Sequence, residues 1–359
     1  MEEKKNGFPL RWITLQLLEK CNLRCKMCYE WGETGAYKNN QEQAILDFDI
    51  IKKIIEDCKQ YKPHYDLFGG EPLLHPNIWD IIPLIKTSGS TIRIPTNGTL
   101  IKKNAELIIQ NQLDSIWISL DGPENINDQQ RGKGVYKMVL EGIDELHYLR
   151  KQKTEDTSKV AITLTITPIN YKYLSELFLS QFDINKVDII FLQLQTFLSE
   201  ERYVQYETLL KNYYGLDKAP TAKGFVQDIN NFKNIDYRIL HDQIQTIKEY
   251  CNKKKVEFMC EPQNMDINSI REYFSGNFEK IYDYHKHCIF PYFNIEVSAR
   301  GDVTLCHAFY DYTFGNVYEK NILDIWDSDK VKAFRSSVRK KLLPICPACC
   351  HYYHIMNKV

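Results

Sequence analysis

The stretch Cys21-Asn22-Leu23-Arg24-Cys25-Lys26-Met27-Cys28-Tyr29 sets three cysteines at C-x3-C-x2-C spacing. Three thiolates this close in sequence can wrap one face of a soft-metal centre, and no fourth ligand stands nearby. A centre with an open position points to chemistry rather than scaffolding. A structural zinc knuckle with a distant fourth ligand and three unrelated thiols both remain open on spacing alone.

Residues 11–18 (RWITLQLL) read as a strand running into the cysteine loop. That places the cluster at a strand's carboxyl end, where α/β folds carry their active sites. Residues 47–61 have apolar positions at helical spacing, with Cys58 on or near the apolar face as a core thiol. Residues 65–74 (YDLFGGEPLL) form a second strand candidate ending in Gly69-Gly70-Glu71-Pro72, where paired glycines permit a sharp turn and expose amide donors beside a carboxylate. A plain tight turn explains the same residues. A helix near 77–87 precedes a third strand, 91–95, that ends in Thr96-Asn97-Gly98-Thr99, and a helix near 103–111 precedes a fourth, 115–120, that ends in Asp121-Gly122-Pro123. Strands alternating with helices imply parallel pairing through right-handed crossovers, so the four loops should share one rim. Further strands are expected at 160–167 and 187–195, and helices at 135–151 and 171–182.

Bulk composition excludes several classes. The chain of 359 residues carries a net charge of −1 with both signs interspersed, so no extended field is available to hold nucleic acid or an anionic membrane. The first residues lack an apolar signal core, and no apolar run is long enough to span a bilayer. A cytoplasmic location is expected. In a reducing compartment the eleven cysteines read as metal ligands and core thiols rather than a disulfide framework.

The order of these elements resembles the radical S-adenosylmethionine (SAM) superfamily: C-x3-C-x2-C after the first strand, Gly-Gly-Glu-Pro after the second, Thr-Asn-Gly after the third and Ser-Leu-Asp-Gly after the fourth. The resemblance covers residues 11–195 and implies an α/β fold, a partial (β/α)6 barrel. By the same resemblance, Cys21, Cys25 and Cys28 would bind three irons of a 4Fe-4S cluster, leaving the fourth for SAM. Gly69, Gly70 and Glu71 would meet the SAM amino group, Ser119 and Asp121 the ribose, and Thr96 and Asn97 the methionine side or the substrate. Arg131 resembles a family arginine near the SAM carboxylate, with a solvated surface charge as the alternative. Tyr29 would shield the cluster or pack on adenine, and a core aromatic is the plain alternative. The sixth strand lacks a glycine-rich adenine motif.

Residues 200–286 carry little signal: helices near 201–214 and 236–254, a strand at 256–260, and Cys251 and Cys260 as packing residues. Beyond them, Cys288 and Cys306 flank a hairpin candidate (293–297 and 303–306) turning at Ala299-Arg300-Gly301-Asp302. A helix over 322–337 leads to Cys346-Pro347-Ala348-Cys349-Cys350. Two thiol pairs meeting there make a four-ligand site that a zinc ribbon would also satisfy. The pattern C-x12-G-x4-C with C-x2-C resembles the SPASM and twitch extensions of radical SAM enzymes. It implies one auxiliary 4Fe-4S cluster held by Cys288, Cys306, Cys346 and Cys349, with Cys350 able to replace Cys349. His351 and His354 are expected at the surface.

The resulting expectation is a barrel over 1–199, a mainly helical bridge over 200–286 and a small β-hairpin-plus-helix cluster domain over 287–359. The resemblance implies reductive cleavage of SAM, with one electron from an external flavodoxin- or ferredoxin-like donor, and hydrogen abstraction by a 5'-deoxyadenosyl radical. A small-molecule substrate, a sugar or natural-product intermediate, is favoured over a peptide because the motif begins near residue 21 without a preceding recognition domain. Peptide or protein maturation is the alternative; a non-catalytic iron-sulfur carrier or a zinc-binding protein is the remote one.

Overall fold

The computed structural model describes residues 9–153, 158–284 and 286–353. Strand β1 (Trp12–Gln16) opens the chain, followed by helix α1 (Phe48–Cys58), β2 (His64–Phe68), α2 (Ile78–Thr87), β3 (Thr91–Thr96), α3 (Ile101–Gln110) and β4 (Ser115–Ser119). Next come α4 (Glu124–Arg131), α5 (Val135–Lys151), β5 (Lys159–Ile166), the short α6 (Leu174–Glu176) and β6 (Ile189–Leu194). Then follow α7 (Glu200–Tyr214), α8 (Pro220–Lys223), α9 (Tyr237–Lys254), β7 (Glu257–Glu261) and α10 (Ile267–Phe274). The hairpin β8 (Asn294–Val297) and β9 (Asp302–Thr304), the short β10 (Gly315–Asn316), α11 (Ile322–Trp326) and α12 (Asp329–Lys340) complete it.

All ten strands form one sheet in the order β10-β9-β8-β1-β2-β3-β4-β5-β6-β7. Strands β1 to β7 run parallel, each to the next, and β8 pairs parallel with β1, so only β9, between β8 and β10, runs against the rest. The sheet is an open, partial barrel, as the strand-helix alternation requires. The nominal bridge supplies a seventh parallel strand, and the C-terminal hairpin extends the same sheet rather than forming another.

Period-two alternation explains which face is which. Ile13, Leu15, Leu67, Ile92, Ile94, Ile116 and Ile162 are buried beneath the helices. Thr14, Gln16, Asp66, Arg93, Ser119 and Glu296 occupy the alternate positions and line the inner face. A polar inner face must pair its charges. Arg93 forms a bidentate ion pair with Asp66, which also accepts the Trp12 indole N–H at 3.1 Å.

Three elements differ from the sequence pattern. The second strand stops at Phe68 because Glu71 caps a 3-10 turn with Pro72 at its start. The helix expected over 171–182 has one α turn, then a π turn from Leu177 to Gln181. The helix over 322–337 breaks at Asp327, and Ser328 caps a fresh start.

The bridge grips the cysteine loop from outside. A Cβ on Gly224 would lie 2.2 Å from the Tyr29 carbonyl oxygen and 2.9 Å from the Ala36 nitrogen, both backbone atoms that cannot swing aside. Gly224→Ala should therefore lift the end of α8 from the loop and cost about 1–3 kcal/mol, read as a lower unfolding midpoint of the metal-free protein.

Candidate active site and auxiliary metal centre

The cysteine loop is fixed at both ends before any metal binds. Behind β1, Leu46 N–H donates to Leu17 O and Glu19 N–H to Ala44 O, while Lys26 N–H donates to Gln130 O at the end of α4. The Trp31 indole closes the loop on Glu19 O at 2.6 Å. A cavity of about 220 Å³ gathers the carboxyl ends of the first six strands: Cys21, Cys25, Cys28, Tyr29, Gly69, Gly70, Thr96, Asn97, Ser119 and Arg131 all line it. Glu71 and Asp121 stand behind that surface, both fully buried.

Each sulfur of the loop has a nearby donor. Leu23 N–H points at Cys21 Sγ (3.4 Å), Trp31 N–H at Cys28 Sγ (3.3 Å), Asn97 Nδ2 at Cys21 Sγ (3.8 Å) and Arg131 Nη1 at Cys25 Sγ (3.9 Å). Burial pushes the Cys21 thiol up to about 11 and Cys28 up to about 12; it raises Cys25 as well, with Arg131 opposing. A metal ion that takes these ligands must displace their protons, and the N–H donors then stabilise the thiolates. Three converging sulfurs beside an open cavity fit a cluster with one iron free of protein.

The glycine turn works differently from the expectation of exposed amides. Gly70 N–H donates to Leu18 O and Glu71 N–H to Lys20 O, so these amides are spent on the backbone beyond β1. What the turn offers a ligand is carbonyl oxygen, suited to an ammonium group. The Glu71 carboxylate accepts from Leu73 N–H (3.1 Å), Thr96 Oγ1 (2.8 Å) and Asn97 N–H (2.8 Å). It ties the second rim loop to the third. Asp121 accepts from Thr165 N–H (2.9 Å) and pairs with Arg131 Nε at 2.5 Å. Burial works against the Arg131 charge, but Asp121 beside it raises the guanidinium above its ordinary range. Arg131 is thus a buried, oriented cation at the cavity wall, not a solvated surface charge.

Tyr29 stacks on Phe225 (centroids 4.2 Å apart, 14°), which stacks on Phe309 of the C-terminal region at 4.7 Å. Sequence reading passed over Glu30, Thr165, Gln193 and Gln195, which also line the cavity. Polar residues alternating along β5 and β6 carried the signal for the last three; nothing marked Glu30. Its carboxyl, bonded by Gln16 Nε2 at 2.7 Å, is pushed up to about 8 by burial. Glu261 on β7 is likewise pushed up to about 8 by burial, with Arg93 and His307 opposing.

In the C-terminal region Cys288, Cys306, Cys346 and Cys349 line one small buried cavity. Burial raises Cys306, Cys346 and Cys349 far above the ordinary thiol value, and each also feels the Cys288 sulfur. Four sulfurs on one cavity wall, three of them raised by burial and by neighbouring thiols, fit a cationic metal centre. Cys350 is absent from that cavity wall and hydrogen-bonds with His307. His351, expected at the surface, is only 6 % exposed because its ring is sandwiched between Phe290 and His307. His354 lies outside the described residues. Cys58 and Cys251 are fully buried packing thiols, and Cys260 is half-buried, donating to Gln263 O.

With this geometry in view, comparison with known proteins is direct. Residues 15–178 match the radical SAM superfamily, and residues 288–350 match SPASM, an iron-sulfur cluster-binding domain. The chain belongs to the radical SAM superfamily and is an enzyme of that class with a SPASM domain. Its cofactors are SAM, the 4Fe-4S cluster that binds it and the auxiliary iron-sulfur centre of the SPASM domain. The chain is 26% identical over 355 residues to the tungsten-containing aldehyde ferredoxin oxidoreductase cofactor-modifying protein of Pyrococcus furiosus, a match covering 95% of this chain and 87% of that protein. It is 28% identical over 179 residues to a probable GTP 3',8-cyclase of Methanococcus maripaludis, covering 48% of this chain and 52% of the relative, so it spans about half of that protein's length. Among solved structures, Streptococcus suis SuiB bound to SAM superposes with a TM-score of 0.65 at 18% identity, covering 97% of this chain and 74% of SuiB; the complex with precursor peptide SuiA gives 0.63 at 19%, covering 96% and 72%. These share the fold. No helix among the described residues is long and apolar enough to cross a membrane.

Two outcomes follow. Arg131→Met strands the Asp121 carboxylate in the protein interior and should cost about 3–5 kcal/mol, and it should also lower the reduction potential of the first cluster by removing a donor beside Cys25, measured by redox titration with electron paramagnetic resonance. Glu261 keeps its proton when folded at pH values where the unfolded chain has released it, so the folded state loses stability as pH rises from the ordinary carboxylate range through about 8. Melting temperatures taken across that range should shift in favour of Glu261→Gln over wild type as pH rises, and the difference should level off above it.

Proposed function

We propose that Cys21, Cys25 and Cys28 hold the SAM-binding cluster, that Cys288, Cys306, Cys346 and Cys349 hold the auxiliary cluster, and that the enzyme abstracts hydrogen from a small molecule. The observation that carries the substrate class is the nearly end-to-end similarity to a protein named for modifying a cofactor. When bound and reduced, the first cluster and SAM supply a 5'-deoxyadenosyl radical. The protein's part is placement. The carbonyls of Gly69 and Gly70, at the cavity wall, would accept from the SAM ammonium group, and Arg131, held by Asp121, would face the SAM carboxylate. Thr96 and Asn97, pinned by Glu71, would meet the methionine side, and Ser119 the ribose. Tyr29, stacked on Phe225, would shield the cluster's side of the cavity.

Four thiolates leave the auxiliary centre no open position for substrate, which favours electron transfer as its task. An external flavodoxin- or ferredoxin-like donor supplies the first electron. Peptide maturation is the second reading, favoured by one feature of the barrel: a cavity of about 580 Å³ opens along β7, one of the two edge strands of the sheet, where an extended chain could lie.

The test is 5'-deoxyadenosine formation by the anaerobically reconstituted enzyme with SAM, reductant and host extract split by dialysis. Stimulation by the dialysable fraction supports the small-molecule reading, and stimulation by the retained fraction alone replaces it with the peptide one. Cys25→Ala should abolish SAM cleavage and keep the auxiliary iron. Cys306→Ala should retain uncoupled cleavage and lose substrate turnover.

A further inference from the structure

Of the residues that line the cysteine-loop cavity, Glu30 is the only carboxylic acid and Arg131 the only base. The proposed placement of SAM uses Arg131 for its carboxylate and the carbonyls of Gly69 and Gly70 for its ammonium group. Glu30 is left without a task, although it is only 5 % exposed and lines the same cavity.

Its carboxyl is held from behind. Gln16 Nε2 donates to Glu30 Oε1 at 2.7 Å and to the Tyr37 hydroxyl at 3.0 Å, while Gln16 Oε1 accepts Ala299 N–H at 3.0 Å. A side chain anchored through Gln16 to the turn between β8 and β9 is oriented in advance of any ligand. The second Glu30 oxygen has no hydrogen-bond partner among the described residues. Neighbouring carboxylates are better served: Glu19 has Arg300 at 2.8 and 2.9 Å, and Glu296 has His307 at 3.0 Å. Both still press on Glu30 with like charge, which His307 offsets only in part. A buried carboxyl with one oxygen unbonded is costly unless a ligand completes it. A neutral donor would supply the hydrogen bond alone, an anion would be repelled, and a cation answers both needs.

The position also suits a substrate. Gln16 and Ala299 tie Glu30 to the β1–β8 side of the rim, whereas Arg131, through Asp121 and Thr165, belongs to the β4–β5 side. The hairpin that secures Gln16 runs on through β9 to Cys306. A molecule held at Glu30 therefore lies between the two metal regions. We infer that Glu30 is the residue that anchors the substrate, and that the small molecule it selects carries a protonated amine, seated by a charge-assisted hydrogen bond to the second Glu30 oxygen. The inference rests on the small-molecule reading above.

The test uses the anaerobically reconstituted holoenzyme with reductant and saturating SAM. The dialysable fraction of host extract is passed over a cation exchanger at neutral pH, and the eluted cations and the flow-through are assayed separately for stimulation of 5'-deoxyadenosine formation. Stimulation by the eluted cations, lost once their amines are acetylated, is expected. Glu30→Gln keeps the shape of the side chain and its bond to Gln16. It should raise the amount of that fraction needed for half-maximal stimulation by about 10–100-fold, with iron per chain and SAM affinity by equilibrium dialysis as in wild type. Stimulation by the flow-through alone, or by cations that survive acetylation, overturns the amine. An unchanged response in Glu30→Gln overturns the anchor, and weakened SAM binding there assigns the carboxyl to SAM instead. If neither dialysable fraction stimulates, the small-molecule reading itself has failed and the inference goes with it.

Discussion

Strand β1 is hydrogen-bonded to β2 on one side and to β8 on the other, and both metal regions take their positions from it. Gln16, at its end, accepts Ala299 N–H at 3.0 Å and donates to Glu30. Three residues on, the buried Glu19 carboxylate holds Arg300 through two bonds of 2.8 and 2.9 Å, while its carbonyl holds the Trp31 indole. The hairpin turn between β8 and β9 and the cysteine loop after β1 are thus fastened to the same few atoms. A shift of β1 would move both at once.

An inner face rich in charge is an expensive way to build a barrel, and the pairing pattern shows how the cost is limited. Asp66 has Arg93, Asp121 has Arg131 and Glu296 has His307. Among the described residues no cation stands at ion-pair distance from Glu30 or Glu261, and burial accordingly favours their neutral forms. The apolar stability comes from the opposite face, where branched side chains pack under the helices. Function and stability therefore occupy alternate residues of the same strands.

Local patterns were legible in sequence wherever they were strong. The alternation of β1 to β6 with helices, the polar loops at their ends and the gathering of the three cysteines all follow from short-range signals. Long-range consequences were not. Nothing in residues 294–297 announces that they pair with residues 12–15, because a strand's period fixes its faces and not its neighbour. The fate of the Gly70 and Glu71 amides depended on carbonyls fifty residues away. His351 looked exposed because polar residues near a chain end usually are, and only the stack between Phe290 and His307 explains its burial.

The parallel pairing of β1 with β8 also imposes an order in time. During synthesis β2 can join β1 early, but the other edge of β1 stays bare until β8 has left the ribosome, nearly three hundred residues later. At ordinary translation speeds of about 5–20 residues per second, that delay is roughly 15–60 s. An open edge that lasts so long invites wrong partners. The cysteine loop, complete early in synthesis, is therefore available for iron delivery well before the auxiliary centre exists to be filled.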